Sequence, residues 1–109
     1  MFAFEIPGQR FSMPAGADIE RCRFVSINST SEGILATDTT AVVGVSMNKV
    51  KAGEVLEIAD GIVMVEAGGA VTAGVAVKAD GEGKAVAGNG SAIALTAATA
   101  AGDIIAVKL

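Results

Sequence analysis

"VKAGEVLEIADG" occupies residues 50–61, and "TAAGDIIAVKL" occupies residues 99–109. A displacement of 49 positions lays Ala52-Gly53-Glu54 on Ala101-Gly102-Asp103. The same displacement lays Leu56 on Ile105 and Ile58 on Val107. Each copy alternates after its glycine. Leu56 and Ile58 share one side of an extended chain, with Glu57 on the other; Ile105, Val107 and Leu109 share a side opposite Lys108. Alternation with period two marks a strand with one face in a core. The chain therefore repeats a turn-and-strand unit.

The turn has a physical reading. Gly53, Gly74 and Gly102 each precede a strand, where glycine can take a backbone conformation closed to other residues. The acid after Gly53 and Gly102 is placed to accept hydrogen bonds from backbone N–H groups of the turn. Working outward, the 14 glycines punctuate short runs rich in Val and Ile, the pattern of an all-β domain. Strands are expected at 23–27, 33–36, 42–47, 54–59, 62–66, 75–79, 84–87, 92–95 and 104–109. Asp60-Gly61 predicts a tight hairpin between two of them, and "ADGEGKA", residues 79–85, predicts a second with a longer loop. "SAIALTAATAAG" is rich in alanine, but its threonines favour a strand to Leu95 and then a loop or single helical turn. The expected fold is all-β: a small β-barrel or β-sandwich of eight or nine short strands.

Composition narrows the function. The chain has 109 residues, enough for one domain with one modest core. Its apolar share is 51%, but there is no Trp or Tyr and only four Phe, so each residue buries little area and association adds stability. The net charge of −4 and scattered cations argue against a nucleic-acid surface. Cys22 is the single cysteine, so no intrachain disulfide forms; it reads as a small apolar residue. The first residues lack the basic start and apolar run of a signal peptide. The longest uncharged stretch, residues 85–102, carries too many Gly, Asn, Ser and Thr to span a membrane. A soluble, intracellularly made chain is expected.

Chemistry is scarce. With no histidine, the Ser-His-Asp and Cys-His arrangements and the commonest zinc ligand are excluded. There is no Gly-Lys-Ser or Gly-Lys-Thr, and "GEGKA" at residues 81–85 lies between strands rather than before a helix. The 12 carboxylates are dispersed, with few aromatics to line a sugar cleft, and "DGEG" at residues 80–83 lacks the spacing of a calcium loop. "VKAGEVLE" and "VTAGVAV" resemble turns of biotinyl and lipoyl carrier domains, yet Lys49, Lys51 and Lys84 lack the neighbours of a modified lysine. The sequence predicts no enzyme activity, catalytic residue, cofactor, metal, small-molecule substrate, nucleic acid or membrane partner.

Residues 1–16 differ in character. Phe2, Phe4 and Phe11 are three of the four aromatics, and Pro7-Gly8 and Pro14-Ala-Gly16 interrupt the segment. Two readings stand: a strand on the domain's own core, or an extended arm that anchors on a neighbour. Under the second, residues 1–16 form the arm and residues 17–109 the β domain, with Phe2, Phe4, Ile6, Pro7 and Phe11 at the interface.

The order of segments resembles the phage capsid cement, or head decoration, proteins. The resemblance is carried by "FSMPAGADIERCRFVSI" (11–27), "VVGVSMNKVKAGEVLEIADGIVMVEA" (42–67), "AVTAGVAVKADGEGKAV" (70–86) and "AIALTAATAAGDIIAVKL" (92–109). It implies a non-enzymatic virion protein, made in the host cytoplasm, that binds the outside of an assembled capsid. It also implies a homotrimer that bridges adjacent capsomers of the major capsid protein. A carrier domain and a tail or baseplate β module are the alternatives.

Overall fold

Strands form where the sequence alternates and end where glycine, proline or Asx residues intervene. The computed structural model describes residues 3–38 and 40–109. Nine strands follow in order: β1 (Ile6–Pro14), β2 (Phe24–Ile27), β3 (Gly33–Leu35), β4 (Gly44–Ser46), β5 (Val55–Glu66), β6 (Ala76–Ala79), β7 (Ala85–Ala87), β8 (Ala92–Ala94) and β9 (Ile104–Lys108). They make one antiparallel sheet in the order β3-β2-β4-β5-β9-β8-β6-β7, with β1 on β5. No helix occurs among the described residues. The all-β class is as the sequence predicts.

The same unit is built twice. The first comprises β1 to the start of β5; the second comprises the end of β5 to β9. Met13 opposite Leu56 is answered by Val65 opposite Ile105. Phe24 opposite Val45 is answered by Ala76 opposite Ile93. Val45 opposite Ala59 is answered by Ile93 opposite Lys108. Parallel bridges Ala15–Gly33 and Ala67–Ala85 curl each half into a small barrel, and Ile19–Val50 matches Val71–Ala98. The offset is 52 positions from Ala15 to Ala67, 48 from Val45 to Ile93 and 49 from Leu56 to Ile105. The connection before the fourth strand explains the first change: residues 36–43 in one half, residues 88–91 in the other.

Backbone conformation repeats too. Left-handed residues pair as Cys22 with Gly74 (φ 63° and 90°), Ser31 with Gly83 (62° and 74°), and Gly53 with Gly102 (88° and 96°). The first half thus holds two side chains where the second has glycine. The acids of the turns cap it as expected. Lys51 N–H donates to Glu54 Oε1 at 2.7 Å, while Thr99 N–H donates to Asp103 Oδ2 at 2.9 Å and Ala100 N–H to the same oxygen at 3.3 Å.

The Asp60-Gly61 hairpin is not formed. β5 runs unbroken through it and passes from one barrel into the other. Residues 55–59 pair with β1 and β4, and residues 62–66 pair with β9, so a reversal would strip both ladders. Gly61, at φ 88°, bends the strand where β1 bulges between Pro7 and Arg10. Leu109 N–H donates to Gly61 O at 2.9 Å, and Gln9 N–H donates to Asp60 Oδ1 at 2.8 Å. The "ADGEGKA" hairpin does form, between β6 and β7, with Asp80 N–H donating to Lys84 O at 2.8 Å. After Ala94 the chain makes turns.

Two apolar clusters fill the barrels. Ala15, Ile19, Val25, Val50, Leu56 and Ile58 pack in the first. The larger cluster draws on both halves: Phe24, Val45 and Ala59 of the first join Val63, Val65, Val77, Ile105 and Val107 of the second. Leu56, Ile58, Ile105 and Val107 are wholly buried, as their alternation predicts.

The repeated backbone sets a test. A Cβ at Gly53 meets nothing within 4 Å, whereas one at Gly61 strikes the backbone of Gly8. Gly53→Ala is expected to cost about 1 kcal/mol from left-handed strain alone, and Gly61→Ala distinctly more. Ser31→Gly is expected to gain about 0.5–1 kcal/mol. Urea unfolding midpoints check the order. Hydrogen bonds from Thr99 N–H, its hydroxyl and Ala100 N–H hold the Asp103 carboxyl below its ordinary range. A depressed carboxylate contributes stability above its unfolded pKa and loses it as pH falls through the folded value. Acidification from the ordinary aspartate value of about 3.9 downward should therefore remove this contribution, and Asp103→Asn should flatten that part of the stability–pH curve.

Candidate functional site

β1 is an edge strand. Its sequence keeps it extended: Pro7 sits at the bulge, Pro14 ends the pairing, and Arg10 to Pro14 run opposite Ala59 to Val55. Phe11 lies opposite Ile58, and Met13 opposite Leu56, so both share the inward face of the first barrel. Phe11 nevertheless stays 38% exposed. Phe4 is 39% exposed and Ile6 64%. Pro7 pairs opposite Gly61. Phe2 lies outside the described residues. Residues 6–14 thus belong to the sheet while holding Ile6 and Phe11 at the surface, with Phe4 exposed just before them.

Ile6 is not alone. It lies opposite Ile62, Ile62 opposite Lys108, and Lys108 opposite Ile93. Residues directly opposite share a face, so these four form a row across β1, β5, β9 and β8. Ile93 is 42% exposed, and Val55 and Ile104 are exposed on matching strands. Sequence reasoning missed these three. The alternation that buries Leu56 and Ile105 turns Val55 and Ile104 outward, so their signal was present. Ile93 had none, because only the pairing of β8 with β9 aligns it with Ile6.

The charged groups at the join serve packing. Arg23, just before β2 in the first half, meets Glu66 at 3.4 Å, and Lys84 meets Glu66 at 3.4 Å and Glu82 at 3.7 Å. Arg23 also donates to Glu82 O at 3.5 Å. The repeat does not copy this group: Val75 stands at the position of Arg23, and Pro14 at that of Glu66. It is a clasp specific to the join. Cys22 is half-buried beside it, and burial pushes its thiol pKa up, away from the reactive thiolate. Lys49 is exposed and meets Glu20 at 3.5 Å.

A depression of about 450 Å³ lies between the 36–43 and 88–91 connections, lined by Phe24, Asp38, Val77, Lys78, Asn89 and Ser91 among others. It gathers one acid. Among the described residues no three of His, Cys, Asp or Glu converge, and no helix is long and apolar enough to cross a membrane. The arrangement offers adhesion: apolar side chains held outward on a hydrogen-bonded sheet.

Fold and surface define a small β structural module. The chain belongs to the phage cement protein family, whose model matches residues 7–109. It is a structural protein of the phage capsid. No curated protein matches it. A solved structure, the head fiber gp8.5 N base in bacteriophage phi29, superposes with a TM-score of 0.78 over 91% of each chain. Its 17% identity makes that likeness one of fold.

The clasp generates a prediction. Arg23→Ala leaves Glu66 partly buried with one cation fewer and is expected to destabilise the fold by about 1–3 kcal/mol. Arg10→Ala, whose 3.4 Å pair with Glu57 is exposed on both sides, should cost under about 0.5 kcal/mol. Thermal unfolding of the two variants side by side checks the contrast.

Proposed function

We propose that this protein binds the outer surface of the assembled capsid and bridges adjacent capsomers of the major capsid protein as a homotrimer. It is made in the host cytoplasm and works by adhesion, with no catalytic step. Residues 1–16 present the anchors, and residues 17–109 form the brace. Phe4, Ile6 and Phe11 contact the shell or a neighbouring subunit, together with Phe2 and Pro7 from the same segment.

The observation that carries this reading is the exposure of Phe4, just before β1, and of Ile6 and Phe11 on that edge strand, in a family member whose role is structural. Exposed apolar side chains clustered on a firm surface mark an interaction site. Cement needs only a modest patch, because contacts repeated in register over a shell sum to a large stabilisation. β1 suits this work mechanically, since its ladder to β5 fixes Ile6 and Phe11 before binding and lowers their entropic cost.

Purified mature shells incubated with the protein test the reading. Saturable decoration at a fixed ratio to coat protein is expected, with greater resistance of the shells to heat or osmotic shock. Point variants suit the anchors better than truncation, because removing β1 would unpair β5. Phe4→Ser with Ile6→Ser should weaken decoration at least about tenfold while leaving the circular dichroism spectrum unchanged. Absence of decoration by the unaltered protein, or unchanged decoration by the double variant, would reject the proposal.

A further inference from the structure

The internal repeat shows what covers one of its own faces. In the first half, Phe24, Val45 and Ala59 stand side by side on neighbouring strands and are wholly buried in the cluster dominated by the second half. Their counterparts are Ala76, Ile93 and Lys108, side by side in the same register. There Ile93 is 42% exposed, Ala76 half-buried and Lys108 exposed. The complementary difference occurs on the inward face. Val63, Val65 and Ala79 of the second half are buried, while their counterparts Phe11, Met13 and Ile27 in the first are partly open.

The two halves therefore pack head to tail. The outer face of the first meets the inward side of the second, leaving one face of each kind unused at opposite ends of the chain. A heterologous contact of this type is not self-completing and can recur. We propose that the row running Ala76, Ile93, Lys108, Ile62 and Ile6 packs through its isoleucines on Phe11, Met13 and Ile27 of a second copy of this chain. The contact repeats the join inside the chain.

This deepens the self-association in the reading above and rests on it. The intermolecular join is weaker than the internal one, because Ala76 replaces the inserted ring of Phe24. Lys108, in place of Ala59, stands between Ile93 and Ile62 and must lay its apolar stem across the face to keep its ammonium in water. The association is accordingly reversible and dependent on concentration.

The test is the mass in solution, by light scattering, without shells. Ile93→Glu places a carboxylate opposite Lys108, a favourable cross-strand pair, so the fold tolerates it while the face becomes charged. Phe11→Ser disables the other face, and Ile27→Ser replaces it should circular dichroism show that Phe11→Ser does not fold. The unaltered chain should exceed its monomer mass of 10.8 kDa at high concentration. Each variant alone should stay monomeric. Mixed, they should form a one-to-one dimer, because each keeps the face that the other lacks. A chain that is monomeric at its highest soluble concentration overturns the proposal, as does undiminished association of Ile93→Glu or a mixture that stays monomeric. Shell decoration is measured separately. Loss of decoration by Ile93→Glu with self-association intact would assign the face to the capsid instead.

Discussion

The passage of β5 from one barrel into the next holds the molecule together. Its first half is laddered to β1 and β4, and its second half to β9. No linker separates the two units, so their relative placement is fixed by backbone hydrogen bonds. Around this shared strand, Phe24 inserts from the first half into the larger cluster. Truncating a buried aromatic of this kind typically costs about 3–5 kcal/mol. That is a large part of the 5–15 kcal/mol that stabilises a typical small domain. The Arg23–Glu66–Lys84 clasp adds orientation at the same place.

A core of Val, Ala and Ile depends on such sharing. Each half alone is a handful of strands, several only three residues long, with small side chains inside. Fusing two halves lets one face be buried twice over: as the outside of the first barrel and as cover for the second. What remains outside is the edge strand β1 with its Phe and Ile side chains, and the row through Ile93. A capsid structural protein is suited by this division: its interior is completed by its own chain, and its apolar surplus is displayed at places fixed by strand pairing.

Much of the fold was legible. Alternation located Leu56, Ile58, Ile105 and Val107 in the core, and glycine with an acid located the turns before β5 and β9. The repeat was visible only in one frame. Four fewer residues before β8 shift the register, so a single displacement of 49 positions matched the ends of the units and concealed their beginnings. Asp60-Gly61 misled because the dipeptide reports a positive φ, and a positive φ serves a bulged strand as well as a hairpin. Local chemistry does not distinguish them; the partners of Ala59 and Ile62 do. At the candidate surface, Phe4, Ile6 and Phe11 were marked by their concentration near one end. Ile93 was not, because its neighbours on the sheet are distant in sequence.

By itself the sequence determined the class of structure, the turns before β5 and β9 and between β6 and β7, the poverty in catalytic groups and the apolar character of the first residues. These depend on composition, on period-two alternation and on the conformations open to glycine, all local properties. Tertiary structure alone decided that the halves join through one continuous strand and stack head to tail. It also decided which Val and Ile faces the second half covers and which it leaves to water. Those outcomes depend on register and on contacts between residues distant in sequence, such as Ile6 with Ile62 and Ile62 with Lys108, and no window of neighbouring residues encodes them.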